Sequence, residues 1–382
     1  MAADTAAKPT CPPTQFGATV SVSGGTAVIG SPNGENGSAG AACIYTRSGT
    51  GWRLQTVLRD PHPGPDDFFG NQVATSSSSA GTYVMVGTLG VANKNPELAD
   101  GPVYVYVKSG NSWRLTQTLK DPTGIHEQDC FGCEMAMSGT SAVFSATGTD
   151  RGRGAVYVFA LANHTWRLQA KLGNPGIPDF GGLVGISGAT VVVGDGGASS
   201  PPGVASRVAH RREATAAYPD AYVYVRSKSW HLQAHIAVHS TDNSEEAVAI
   251  SGSTILLGGI YVEGFGTTNA NDEKGHVYVM DRAKGVWRLA QVLKDSSRTG
   301  DGFSIGLAIA GGITAVGAPY SGCGVVYFYK WSRTQWASLG KLTPGPGKCS
   351  ASEGYGWSIS VSGTTALIGA PGIDRAYVVS VP

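Results

Sequence analysis

The chain has 382 residues, a formal net charge of +1, 55 glycines and only 14% charged residues. So balanced a charge argues against nucleic acid or an anionic membrane as partner, and no apolar run reaches the ~18 residues of a bilayer-spanning helix. Many glycines with few charges suit tight turns and little helix surface. The length alone would allow two or three ordinary domains.

Residues 1–13 are polar and rich in Ala and Pro, without the apolar core of a signal peptide, so a secreted form is expected to have shed its leader. Phe16-Gly17 then opens a β-run to Ser23, followed by runs Thr26 to Gly30, Ala42 to Thr46 and Trp52 to Leu58. The pattern recurs at anchors Phe16, Phe69, Phe131, Phe180, Ser244, Phe303 and Tyr355. Each stands seven residues ahead of a Ser or Ala that closes a short strand, usually as Ser-Gly or Ala-Gly. Third runs follow at Pro102 to Val107, Ala155 to Phe159, Ala221 to Val225, His276 to Met280 and Val325 to Tyr329. Fourth runs open at Trp52, Trp113, Trp166, Trp230, Trp287 and Trp336, mostly as Trp-Arg-Leu.

These runs are rich in Val, Ile and Tyr, of strand length, and bounded by Gly, Ser and Asn, which reads as strand. Four strands per unit of roughly 50 to 60 residues, in tandem, predict propeller blades. The expected fold is all-β, a seven-bladed β-propeller of four-stranded antiparallel blades. Residues 16–382 form one domain and residues 1–15 an N-terminal segment. The last unit has no Trp strand of its own. Residues near Ala2 to Lys8 are expected to supply it, with a three-stranded last blade as the alternative. Along each first strand, apolar residues four and six after the anchor flank a small one: Ser21, Ala74, Ala136, Gly185, Ala249, Ala308 or Ser360. That fits inner strands converging on an axis.

Phe-Gly, a strand, Gly-Ser-Pro at 30–32 or Gly-Ala-Pro at 317–319 and 369–371, then a Val-Tyr-Val-Tyr strand resembles the FG-GAP repeat. That repeat builds integrin α-subunit propellers and many extracellular proteins, and the likeness runs over residues 16–382. Calcium-binding members carry an Asp-rich loop between their first two strands, since a hard cation needs several oxygen ligands. Here that connection is Ser23-Gly24-Gly25-Thr26, Ser138-Gly139-Thr140-Ser141 or Ser187-Gly188-Ala189-Thr190. No metal and no cofactor is therefore expected. The likeness is to a short-turn variety, which implies a propeller and no single activity.

First-to-second and third-to-fourth connections are short, whereas second-to-third and blade-to-blade connections are long and emerge together, leaving one plain and one elaborated face. All six cysteines map to the elaborated face, which suits disulfides in an oxidising, extracellular compartment. Of the possible connectivities, Cys11 with Cys43, Cys323 with Cys349 and Cys130 with Cys133 are the first pairs to expect. Cys130-Phe131-Gly132-Cys133 also permits redox or zinc chemistry, though no second ligand pair for zinc lies nearby. Asn36-Gly37-Ser38 and Asn163-His164-Thr165 are glycosylation sequons.

Asp67, Asp129, Asp242, Asp301 and Glu353 recur two residues before an anchor. They read either as a carboxylate ring at the pore mouth or as acceptors fixing their own turns, the second being the simpler. The repeated Trp residues read as packing anchors and not as a sugar platform. Departures from the repeat are the better functional candidates. Residues 195–220 form an insertion carrying His210, Arg211, Arg212 and Tyr218. Blade five replaces Phe-Gly with Ser244-Glu245-Glu246, near His239, and carries a long loop with Tyr261 and Glu263. Arg211, Arg212, Glu246, Tyr261 and Glu263 are the expected ligand-binding set, though solvated loop charges without a role are the plain alternative. Two readings follow. One is an extracellular ligand-binding or adhesion module for a protein or glycan on the long-loop face, alone or in a larger assembly. The other is a lyase acting on a uronic-acid glycan with His210, Tyr218 and His239 moving protons.

Overall fold

The structure, a computed structural model, describes residues 11–34, 39–64, 66–89, 101–124, 130–177, 180–194, 220–237, 244–261, 274–295, 301–345 and 353–382. Among them, seven antiparallel sheets follow one another along the chain. Blade one is β1 (Val20–Ser23), β2 (Thr26–Ser31), β3 (Ala41–Ser48) and β4 (Gly51–Leu58). Blade two is β5 (Gln72–Ser78), β6 (Gly81–Gly87), β7 (Val103–Ser109) and β8 (Ser112–Leu119). Blade three is β9 (Phe131–Ser138), β10 (Ser141–Ala146), β11 (Ala155–Ala162) and β12 (Thr165–Leu172), with a one-turn helix α1 (Thr149–Gly152) before β11. Blade four is β13 (Leu183–Ser187), β14 (Thr190–Gly194), β15 (Asp220–Arg226) and β16 (Trp230–Ala237). Blade five is β17 (Ser244–Ser251), β18 (Thr254–Tyr261), β19 (Lys274–Ala283) and β20 (Val286–Lys294). Blade six is β21 (Leu307–Ala310), β22 (Ile313–Ala318), β23 (Val325–Trp331) and β24 (Trp336–Leu342), and blade seven β25 (Ile359–Ser362), β26 (Thr365–Ala370) and β27 (Arg375–Ser380).

The first strands touch in order, β1 to β5, β9, β13, β17, β21 and β25, and β25 returns to β1, which closes a seven-bladed propeller. Among the described residues blade seven has three strands. Ala2 to Lys8, proposed to complete it, lie outside the described residues.

The core consists of seven layers, each between consecutive blades. Phe131 packs with Tyr83 and Met85 of blade two, Phe180 with Val143 and Val156 of blade three, and Phe16 with Leu367 and Ala376 of blade seven. Phe16, Phe69, Phe131, Phe180 and Phe303 are wholly buried, each worth about 2–3 kcal/mol of transfer free energy. Each aromatic anchor is thus a wedge against the preceding blade. The layer between blades four and five has none, because its anchor is Ser244.

Backbone geometry explains the Phe-Gly pair. The residues flanking it are joined as a turn: Ala18 N–H donates to Gln15 O (2.9 Å), Asn71 to Phe68 (2.8 Å), Cys133 to Cys130 (3.2 Å) and Trp357 to Gly354 (3.0 Å). The glycine of the pair takes φ of 95° at Gly17, 91° at Gly70, 77° at Gly132 and 92° at Gly356, where only glycine is unstrained. The Gly of Gly-Ser-Pro and Gly-Ala-Pro is demanded by the neighbouring blade. A Cβ on Gly30 would lie 2.1 Å from Gly70 O, and one on Gly369 2.0 Å from Gly17 O. The two halves of the motif thus meet across the blade interface.

Serines carry a second set of inter-blade ties. An innermost strand has a free edge whose N–H groups need acceptors. Val22 N–H donates to Ser360 Oγ (3.0 Å), Thr75 N–H to Ser21 Oγ (3.0 Å), Gly188 N–H to Ser138 Oγ (3.0 Å) and Gly252 N–H to Ser187 Oγ (2.9 Å). The Ser of the Ser-Gly turn is therefore an edge cap for the next blade. At Ser21 and Ser360, smallness follows from this bond and not from crowding alone.

The outer rim is laced by glutamine. Trp113, Trp230 and Trp287 donate their indole N–H to Gln55 (2.9 Å), Gln169 (2.8 Å) and Gln233 (3.2 Å) of the preceding blade. Where Gln stands one residue later, it bonds the next Trp backbone. Gln117 pairs with Trp166 N–H and C=O, and Gln291 with Trp336 likewise. The indole N–H of Trp166 and Trp336 then has no partner among the described residues. These bonds support the reading of the tryptophans as packing anchors.

Candidate functional site

Two-residue turns join β1 to β2 and β3 to β4, and the same short classes recur around the ring. The opposite face carries the Phe-Gly turns, the blade-to-blade connections and the β2-to-β3 class of loop. There Cys11 is bonded to Cys43 (Cα–Cα 6.2 Å) and Cys130 to Cys133 (Cα–Cα 5.3 Å), as expected. Cys323 is also disulfide-bonded, and its expected partner Cys349 lies outside the described residues.

Most of the predicted site lies outside the described residues too: His210, Arg211, Arg212, Tyr218, His239 and Glu263. The backbone of the other two is defined. The ladder between β17 and β18 shifts register between Glu245 and Ala247, so Glu246 is the bulge residue, and Tyr261 pairs with Lys274 at the end of β18. Both positions are on the long-loop face of blade five. Without Phe-Gly, β17 begins at its anchor, and Ser244 pairs directly with Ile260.

The acidic positions before the anchors fix turns. Asp67, 1% exposed, accepts from Gly64 N–H, and Asp301, 2% exposed, accepts from Phe303 N–H (3.1 Å). Neither is open at the mouth. Glu353 is half-buried, and Asp129 and Asp242 lie outside the described residues. Asn163 is exposed at the β11–β12 turn with φ of 49°, whereas Asn36 lies outside the described residues.

A second carboxylate set, overlooked in the sequence, follows the outer strands as Leu-Arg-Asp-Pro at 58–61 and Leu-Lys-Asp-Pro at 119–122. Asp60 accepts from the Tyr104 hydroxyl of blade two (2.8 Å) and from His62 N–H (2.7 Å). Asp121 accepts from Thr149 Oγ1 (3.1 Å) and from Thr123, and Tyr327 of blade six bonds Asp295 of blade five. Burial, reinforced by Asp60, pushes the Tyr104 hydroxyl well above the usual phenol range. These pairs rivet one blade to the next.

One further group on this face joins two blades and is also a departure from the repeat. Three residues after the anchor, the seven blades carry Thr19, Gln72, Glu134, Leu183, Ala247, Gly306 and Ser358. Glu134 is the one ionisable residue in that ring, and alignment on the anchors would have singled it out. Gln72 Nε2 donates to Glu134 Oε1 (2.9 Å). Burial nevertheless pushes the carboxyl up to about 8, outweighing the Gln72 bond, which acts in the opposite direction. At neutral pH it is largely the uncharged acid.

Fold and site together define a seven-bladed β-propeller with one plain and one elaborated face. The profile of the FG-GAP repeat matches residues 336–379, from the outer strand of blade six through most of β27. The seven-bladed ring thus carries an FG-GAP repeat. No curated protein matches the chain.

Proposed function

We propose that this propeller is an extracellular ligand-binding module whose long-loop face, around the axial mouth, receives a glycan or protein partner. The observation that carries this reading is the asymmetry of the ring. Ser ladders and two-residue turns occupy one face, while the disulfides, the blade-five departure and Glu134 gather on the other. A rigid scaffold with variable loops on one side is a common arrangement for recognition. Disulfides accord with an oxidising compartment. Asn163 sits on the plain face, where a glycan would leave the looped face free.

A screen of oligosaccharides and polyuronates, read for binding and for absorbance of newly formed unsaturated ends, tests the reading. Binding that is lost when the long loops, and not the short turns, are replaced is the expected result. Binding that tracks the short turns would overturn it. Appearance of unsaturated product would establish lyase activity instead.

A further inference from the structure

Several departures of blade three from the repeat converge on Glu134. The Phe131-Gly132 turn is the one anchor turn among the described residues whose ends are joined covalently, through Cys130 and Cys133. Glu134 follows directly. Opposite it, the ladder of β9 and β10 slips between Phe144 and Ala146, so Gly132, Cys133 and Glu134 form a bulge on β9 that faces the single residue Ser145. Its fully buried hydroxyl accepts from Glu134 N–H (2.9 Å). A bulge bends the strand that carries it and re-aims its side chains, and the disulfide makes the turn rigid. Backbone is therefore clamped on both sides of a single carboxyl.

Among the described residues, the strands packed against β9 bring no counter-charge to this carboxyl. The elements packed against β9 are β5, β10 and β13, and their sequences QVATSSS, SAVFSA and LVGIS contain no ionisable residue. On β9 itself the other titratable type is Cys133, which is in the disulfide. Glu134 keeps partial contact with solvent, as do Gln72 and Ser358 in the same ring. A buried acid held without a counter-charge lowers stability, so retaining it on a doubly clamped backbone points to use.

We propose that Glu134 and Gln72 form a subsite at the axial mouth that binds adjacent hydroxyls of a neutral sugar, the Glu134 carboxyl donating and the Gln72 carbonyl accepting. This rests on the glycan reading of the looped face. A cation is disfavoured there, because it would require ionising a carboxyl that burial keeps protonated. An anionic sugar finds no positive charge in the elements packed against β9. The uncharged acid beside an amide offers one donor and acceptors at fixed spacing, the pattern a vicinal diol satisfies.

The full chain is titrated calorimetrically with neutral gluco-, manno- and galacto-oligosaccharides between pH 6 and 9, with Glu134→Gln and Glu134→Leu alongside. Wild-type affinity is expected to fall at least about tenfold across that range, as the donor proton is lost. Glu134→Gln, which keeps an N–H donor, binds with a flat pH profile, and Glu134→Leu binds at least about tenfold more weakly than wild type at pH 6. Since Glu134→Leu is the variant at risk of misfolding, the [13Cδ]Glu134 resonance of wild type is followed too, and it shifts on sugar addition. Binding that Glu134→Leu leaves intact, or an unmoved Glu134 resonance under saturating sugar, overturns the subsite while the looped-face reading stands. Failure of wild type to bind any of these neutral sugars overturns the subsite, and the glycan reading falls with it only if the polyuronates of the wider screen do not bind either, which leaves a protein partner for the face.

Discussion

Replacing Glu134 with Gln should change how stability depends on pH without changing the fold. The native carboxyl titrates at about 8 and its unfolded counterpart near 4.5. Between those values the folded chain holds a proton that the unfolded chain has released, so stability falls as pH rises. The dependence vanishes below the lower pKa and saturates above the upper. At about 1.36 kcal/mol per pKa unit, the loss between pH 5 and pH 8 is about 3.5 kcal/mol. Glu134 is only partly buried, so solvent screens the ionised carboxylate and that figure is a ceiling. Gln has the same shape, keeps a bond to Gln72 and has no proton to lose. Urea unfolding of both proteins at pH 5, 6, 7 and 8 separates this group from all others, whose contributions cancel in the difference. The two should be similar at pH 5, with Glu134→Gln the more stable by up to about 3.5 kcal/mol at pH 8. A stability difference that stays constant from pH 5 to pH 8 would refute the burial argument.

Ser304 offers a second test. It occupies the glycine position of the Phe-Gly turn in blade six with φ of 105°, a conformation that strains a residue with a Cβ by about 1–3 kcal/mol. Its hydroxyl makes only a long bond, 3.4 Å to Gly259 O, so Ser304→Gly should raise the urea midpoint by the equivalent of about 1 kcal/mol once glycine's extra unfolded entropy is subtracted. An unchanged or lower midpoint would mean that the hydroxyl outweighs the strain. For blade seven, Thr14 N–H is bonded to Asp374 Oδ1 (3.0 Å), just ahead of β27. Thr14 is thus held beside the end of an edge strand. Trimming residues 1–9, which spares Cys11, should speed hydrogen exchange in β27 and lower the melting temperature. Equal exchange with and without those residues would leave blade seven three-stranded.

The sevenfold register was legible because each part of it answers a local backbone demand. Gly17, Gly70 and Gly132 are required by positive φ, and Gly30 and Gly369 by a carbonyl of the next blade about 2 Å from any Cβ. Such constraints are written in one residue type and recur at fixed spacing. The tyrosine–aspartate rivets escaped notice because Asp60 and Tyr104 are 44 positions apart, a spacing that loop length alters from blade to blade. The glutamine ties hid behind a one-residue shift between Trp-Arg-Leu-Gln and Trp-Arg-Leu-Thr-Gln. That shift decides whether the indole or the backbone of the next Trp is bonded. The carboxylates before the anchors were visible, and their turn-fixing role at Asp67 and Asp301 follows from burial that repetition alone only suggests.

The repeated residues serve closure, so the proposed recognition falls to positions where the repeat is broken. Two breaks stand on the long-loop face, and they differ in kind. Blade five loses its Phe-Gly turn, extends β17 up to Ser244 and leaves the layer between blades four and five without an aromatic wedge. Blade three keeps its turn, locks it with Cys130–Cys133, braces the following β9 bulge against Ser145 and sets one carboxyl into the ring. The first break removes a constraint beside the longest insertion, the arrangement of a surface that adapts to its partner. The second adds constraints around a single group, the arrangement of a contact whose geometry must not vary. A binding face assembled from both would take its affinity from the adaptable blades and its selectivity from Glu134. On that division of labour, substitutions in the 195–220 insertion should weaken all ligands alike, whereas Glu134→Gln should change which ligand is preferred.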